Sequence, residues 1–213
     1  MSLETEKFIL IKNAISKETC KLLAREFRMA RDIAATIEYP GEEFPYKDTQ
    51  VERSFSWYSP LCFEALSDSL IKEVVEKELG EPVYPTYSYA RIYYNGAEMP
   101  IHIDRSSSEY SVTCCIEVEE NNPWHLGIET MQGEKIYVEQ EPGDIILYKG
   151  NELRHWRDPY SGTEQINAFM FYVKANGPRA ELKYDTRPLL GLGSNTRQMT
   201  SEAQWEKYPG VVK

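Results

Sequence analysis

A mainly β fold with flanking helices is predicted: a closed barrel or jelly roll whose helices pack on the outer side of the sheet. Eight short β-rich runs follow one another, at 84–94, 101–104, 110–118, 124–130, 135–139, 144–148, 154–157 and 165–174. Gly, Pro, Asn and Ser clusters separate them, and no helical period intervenes, which favours antiparallel closure over alternating β and α units. Two helical stretches precede these runs and give the barrel an N-terminal α/β support.

The support is built in order. Residues 7–13 (KFILIKN) predict a short strand, and Ser16 then offers an N-cap to a helix with apolar positions Cys20, Leu22, Leu23, Phe27 and Ala30. A second helix is marked by Ser59 as cap and Pro60 in the first turn, an apolar face of Phe63, Leu66, Leu70 and Val74, and a stop at Gly80. Between the helices, residues 38–56 carry Pro, Gly and aromatics without a period and read as a loop, either a lid or a plain connection. After Val173 the chain turns irregular, with Gly177, Pro178, Pro188, Gly191, Gly193 and Pro209.

With 213 residues the chain suits a single domain, 1–213: a helical support over 1–82, a jelly-roll core over 83–175 and an irregular extension over 176–213. Its 41% hydrophobic and 27% charged content is that of an ordinary folded protein. No apolar run approaches the roughly 18 residues of a membrane span, and the N-terminus lacks the sections of a secretory signal, so a cytoplasmic location is expected. A net charge of −10 with scattered basic residues argues against an extended nucleic-acid surface. The cysteines at 20, 62, 114 and 115 show no Cys-x-x-Cys spacing and read as reduced core thiols.

The chemistry-bearing residues are few. Of three histidines, His102 is followed two residues on by Asp104, and His155 lies fifty-one positions beyond that aspartate. On a strand, residues two apart share a face, so His102 and Asp104 project together while Ile103 faces away. Two imidazoles and one carboxylate form the facial triad that holds non-haem Fe(II) and leaves the opposite face open. As catalytic and metal-binding candidates, His102, Asp104 and His155 require neutral imidazoles, so metal affinity should fall at low pH.

Tyr93-x-x-Gly96, then His102-x-Asp104, then Pro142-Gly143-Asp144 leading an apolar strand to His155, resemble the Fe(II)- and 2-oxoglutarate-dependent dioxygenases, particularly their prolyl 4-hydroxylase-like branch. The opening FILIKNAISKETCKLL resembles the first strand and helix of that branch, and the likeness extends over about residues 7–174. It implies a double-stranded β-helix, with Fe(II), 2-oxoglutarate and dioxygen used to hydroxylate an unidentified peptide or small molecule, releasing succinate and carbon dioxide. In the family a Lys or Arg on the last strand, nine or ten residues beyond the distal His, pairs with the far carboxylate of 2-oxoglutarate; here those positions are Glu164 and Gln165. A substitute cation is therefore required.

Arg91 and Arg157 qualify equally by direction, Arg91 two residues before Tyr93 and Arg157 two after His155, and either could clamp a carboxylate with the Tyr93 hydroxyl adding a bond. Arg105 is read as supporting the metal ligands or facing substrate, and Gln165 and Asn167 as ligand contacts or a satisfied polar interior. Trp124 and Trp156 read as packing residues, and His125 has no assigned partner. Two other readings stay open: a cupin-like metalloenzyme or metal-dependent binding protein that does not use 2-oxoglutarate, and a non-catalytic interaction module.

Overall fold

The computed structural model describes residues 3–37 and 51–186. Among these residues ten strands make two antiparallel sheets. Before the barrel come β1 (Phe8–Ile11), α1 (Lys17–Ile37), β2 (Ser54–Trp57) and a helical run of α2 (Pro60–Cys62), a π-helical segment (Phe63–Leu70) and α3 (Ile71–Leu79). The eight predicted runs appear as β3 (Val83–Tyr94), β4 (Met99–His102), β5 (Tyr110–Glu117), β6 (Leu126–Glu129), β7 (Lys135–Val138), β8 (Ile145–Tyr148), β9 (His155–Arg157) and β10 (Glu164–Lys174). A 3-10 segment, Ala180–Thr186, follows.

The six-stranded sheet runs β1-β8-β5-β10-β3-β2, and the four-stranded sheet runs β4-β9-β6-β7. Both faces of the larger sheet are covered, which explains why its strands are buried almost without alternation. The period-2 rule still sorts the side chains. Ile166, Ala168, Met170 and Tyr172 of β10, with Val112 and Cys114 of β5, pack beneath Leu23 and Phe27 of α1 and Leu66, Ile71 and Val75 of the second helical run. On the opposite face Phe169 and Phe171 join Tyr87 and Tyr93 of β3, Ile146 and Tyr148 of β8, and Leu126 and Ile128 of the smaller sheet. The functional candidates sit in this second layer, between the sheets.

Local chemistry accounts for the element ends. Ser16 Oγ accepts the Thr19 N–H at 3.1 Å and Ser59 Oγ accepts that of Cys62 at 3.0 Å, so both expected caps form. Gly80 adopts φ 69° and ends α3, as expected. Two expected apolar faces are corrected. Leu22 of α1 is exposed; it lies on the turn opposite Ala24, which is buried instead. In the second helical run Leu70 is exposed and Ile71 and Val75 are fully buried, because the π-helical segment uses an extra residue and rotates the apolar face by one position.

The expected loop over 38–56 also needs correction, since Ser54–Trp57 pair with β3, Ser56 opposite Arg91. This segment has no obvious alternation because Ser54 and Phe55 are both buried. Residues 38–50, and 187–213 of the expected C-terminal extension, lie outside the described residues. All four cysteines are free and buried, as read from their spacing. Among the described residues no helix is long and apolar enough to cross a membrane.

The Pro142-Gly143-Asp144 turn ties the support to the barrel. Gly143 has φ 98°, and a Cβ there would lie 2.5 Å from the Ile15 carbonyl oxygen, whose own amide donates to Gly143. The buried Asp144 carboxylate accepts from the backbone of Asn13 and Glu141 and pairs with Lys12 at 2.8 Å. Replacing Gly143 by Ala should therefore lower the unfolding free energy by about 2 kcal/mol, combining left-handed strain with a backbone clash. Urea unfolding checks this, and an unchanged midpoint would show that the turn rearranges freely.

Candidate active site

β4 and β9 pair so that His102 and His155 stand directly opposite, ring centroids 4.3 Å apart. Asp104 does not lie on the strand, as the predicted run 101–104 had it. The ladder ends at His102 because the Asp104 N–H bonds the Gly150 carbonyl at 2.8 Å instead of β9. The side chains converge nonetheless: Asp104 Oδ1 is 3.7 Å from Nε2 of both histidines, and Ile103 points outward. The one ligand atom offered by each residue lies within 4.8 Å of the others.

Two residues that sequence reasoning did not select hold the carboxylate. Ser111 Oγ donates to Asp104 Oδ2 at 2.6 Å. Gly150 leaves room for this bond, since a Cβ at 150 would lie 2.0 Å from Ser111 Oγ and 2.5 Å from Asp104 Oδ2. Neither had a spacing signal, because their partners come from different strands and loops.

Each imidazole is fixed in one tautomer. His102 Nδ1 lies 2.8 Å from the Pro100 carbonyl and His155 Nδ1 2.9 Å from that of Leu153. A carbonyl can only accept, so both Nδ1 atoms carry protons and both Nε2 lone pairs face the centre. Such outer hydrogen bonds are what orient metal-ligating histidines. Burial pulls His155 below the usual 6.5. Burial acts the same way on His102, but the Asp104 carboxylate and Pro100 carbonyl outweigh it and leave that pKa raised. Burial pushes Asp104 up, and the histidines with Ser111 bring it net below the ordinary carboxylate value. Two imidazole nitrogens and a carboxylate oxygen thus converge as a facial triad requires, and the donor set fits iron(II).

Both candidate arginines are interior, but their settings differ. Arg157, 1% exposed, donates from Nη1 to the Trp124 carbonyl and lies over the Trp124 ring, 5.2 Å from its centroid. Among the described residues its Nε and Nη2 have no hydrogen-bond partner, and burial lowers its pKa. The Tyr93 hydroxyl is likewise buried and unsatisfied, and its ring meets the same Trp124 ring edge-on at 4.8 Å. Arg91 donates from Nε to Ser56 Oγ at 2.9 Å and lies over the rings of Tyr89 and Tyr93.

The polar pair on β10 is internally satisfied. Gln165 Oε1 accepts the Trp124 N–H at 2.9 Å, while its Nε2 donates to the Trp124 carbonyl and to Asn167 Oδ1. Both residues therefore read as structure, fastening the loop that carries Trp124. Trp124 packs on Tyr93 and Tyr160, and Trp156 packs against Gly127, where a Cβ would lie 2.3 Å from its ring. His125 takes no part in the metal cluster.

A cleft of about 230 Å³ is lined by His102 and Asp104 of the cluster and by Arg91 and Arg105. Arg105 is not turned away from it: its guanidinium lies 4.1 Å from the centre of the Tyr87 ring and pairs with both oxygens of Asp185 at 3.0 and 2.8 Å.

Fold and site together make a double-stranded β-helix that carries a cluster of two histidines and one carboxylate. No protein-family model and no curated protein matches the chain. Among solved structures, a Pseudomonas putida prolyl-4-hydroxylase is similar with a TM-score of 0.61 at 18% identity, over 81% of this chain and 95% of that one. The non-heme alpha-ketoglutarate-dependent epimerase SnoN of nogalamycin biosynthesis gives 0.65 at 10%, over 90% and 89%. HygX from Streptomyces hygroscopicus, solved with nickel and 2-oxoglutarate bound, gives 0.59 at 10%, over 82% and 85%.

The two histidines predict an asymmetric pH response. Burial lowers the His155 pKa while the Asp104 carboxylate and Pro100 carbonyl leave that of His102 raised, so as pH falls protons compete with a metal first at His102. Affinity for Ni(II), measured by calorimetry, should hold above the His102 pKa and fall about tenfold per pH unit below it. Affinity unchanged from pH 8 to pH 5.5 would place the ligands elsewhere.

Proposed function

We propose that the protein is an Fe(II)- and 2-oxoglutarate-dependent oxygenase that hydroxylates a second substrate and releases succinate and carbon dioxide. The observation that carries the reading is the joint one of an open three-ligand cluster and, deeper between the sheets, a buried guanidinium and phenol with unmet hydrogen bonds. Unmet buried donors are costly, and an anionic ligand that accepts from them removes the cost.

His102, Asp104 and His155 would hold the metal, whose remaining positions a 2-oxo acid and dioxygen would take. Iron bound there supplies the oxidising power for breaking an unactivated C–H bond. Arg157 donates from Nε and Nη2 to the distal carboxylate of 2-oxoglutarate, and the Tyr93 hydroxyl donates a third bond. Arg157 is preferred to Arg91 for this role because its Nε is unengaged, whereas that of Arg91 is held by Ser56. The cation lacking at Glu164 and Gln165 is thereby provided from β9. Nothing then favours a cupin-like site that dispenses with the 2-oxo acid. Ser111 keeps Asp104 oriented, and the aromatic wall around Trp124 excludes water from the clamp. Four buried thiols suit a reducing, cytoplasmic setting.

Anaerobic addition of Fe(II) and then 2-oxoglutarate should produce a weak visible charge-transfer band, and admission of air should yield succinate. Arg157→Gln should weaken 2-oxoglutarate binding by about tenfold or more, the loss of a charge-assisted pair. Absence of both band and succinate in the wild-type protein would overturn the assignment.

A further inference from the structure

Two residues on neighbouring strands back the cluster from inside the barrel. Ser111 of β5 and Tyr148 of β8 are register partners on one face of the larger sheet. Ser111 is committed to the Asp104 carboxylate. Tyr148, 3% exposed, meets His155 instead: the two rings stand edge-on with centroids 4.9 Å apart, and the phenol oxygen lies 3.5 Å from His155 Nε2. Strands β1 and β5 flank β8 and pair Phe8 and Ser111 with Tyr148, so its backbone is anchored on both sides.

The direction of the contact follows from the tautomer. His155 Nδ1 carries its proton toward the Leu153 carbonyl, so Nε2 offers only a lone pair and the Tyr148 hydroxyl must donate. A phenol keeps its proton at neutral pH and is a standing donor. At 3.5 Å the bond is long, since good O–H donors reach their acceptors at about 2.7–2.8 Å. Nε2 is also the atom that a metal takes. Loading the cluster therefore removes the one acceptor that Tyr148 has among the described residues, and leaves a buried donor beside the ligands until a new acceptor arrives.

The surroundings indicate where that acceptor comes from. Tyr148 does not line the cleft, which meets the cluster through His102 and Asp104. It lies within electrostatic reach of both Asp104 and Arg157, on the buried flank where the guanidinium has its unmet donors. A dicarboxylate reaching from the cluster to Arg157 presents its 2-oxo acid head on that flank. We propose that Tyr148 is a further co-substrate-binding residue, whose hydroxyl leaves His155 Nε2 when the cluster is loaded and donates to the 2-oxo acid head. This rests on the oxygenase reading above and adds a contact at the metal end of the co-substrate, opposite the Arg157 clamp.

Tyr148→Phe removes one oxygen and keeps the ring against His155. Ni(II) is titrated calorimetrically into full-length wild-type, Tyr148→Phe and Arg157→Gln proteins, and then 2-oxoglutarate or pyruvate into each Ni(II)-loaded form. Pyruvate has the 2-oxo acid head and no distal carboxylate. Tyr148→Phe should bind Ni(II) within about threefold of the wild type and 2-oxoglutarate about tenfold more weakly, the scale of a hydrogen bond to a charged group. Pyruvate should lose as much in Tyr148→Phe and keep its affinity in Arg157→Gln. Unchanged 2-oxoglutarate affinity in Tyr148→Phe overturns the proposal. A parallel loss of Ni(II) affinity also overturns it, by making the hydroxyl a prop for His155, and so does a loss for 2-oxoglutarate without one for pyruvate, by placing the hydroxyl at the distal carboxylate. In all three cases the wild-type protein still binds 2-oxoglutarate on Ni(II) and the oxygenase reading stands; a Ni(II)-loaded wild type that binds no 2-oxoglutarate ends both.

Discussion

An arginine sealed between two sheets without a counter-charge is among the most unfavourable groups a fold can contain, since desolvation removes its hydration and nothing returns it. Arg157 is in that condition among the described residues. Its partial compensation, a bond to the Trp124 carbonyl and the face of the Trp124 indole, in turn depends on Gln165 gripping the Trp124 backbone. The residues of the last strand that hold no charge of their own thus position the surface on which the displaced charge rests. A residue two positions from His155 shares its face of β9, so the same strand delivers both that imidazole and the cation.

The larger sheet makes this arrangement stable by separating two tasks. One face of β10, β5 and β8 is apolar, mostly aliphatic with Tyr110 and Tyr172, and buried under the helices, where burial contributes most of the favourable free energy of folding. The other face carries aromatic and polar residues toward the smaller sheet, where the His102–Asp104–His155 cluster, the buried Arg157 and the tyrosine-lined cleft lie. The Gly143 turn and Asp144 then link the N-terminal strand and α1 to the barrel, so the support and the site share one set of contacts.

The fold was legible where the signal was local. All eight barrel runs were visible as β-rich segments between turn residues, and Ser59, Pro60 and Gly80 marked the second helix. What was lost was non-local. The π-helical segment breaks the 3.6-residue period on which Leu70 was read as a core position; Leu70 is exposed, Ile71 and Val75 take the core, and Val74 packs at its edge. Strand β2 has no alternation to detect because both Ser54 and Phe55 are enclosed. At the site, His102-x-Asp104 and the distant His155 were readable as a ligand set. Ser111, Gly150 and Asp185 were not, for each acts through a partner brought close only by the closed fold. The choice between Arg91 and Arg157 likewise required knowing which donors were engaged, which alternation cannot report.

Replacement of Arg157 by Met, similar in length and uncharged, tests directly whether the buried charge is there for a ligand. Unfolding is followed with and without 2-oxoglutarate, in the presence of Ni(II), for wild-type and variant protein. Without 2-oxoglutarate the variant should be as stable as the wild type or more so, by up to about 4 kcal/mol, as when buried charges give way to packed apolar groups. The stabilisation that 2-oxoglutarate confers on the wild type should be absent from the variant. A variant that unfolds well before the wild type yet is still stabilised by 2-oxoglutarate would contradict the assignment, making Arg157 a structural residue and placing the anion elsewhere.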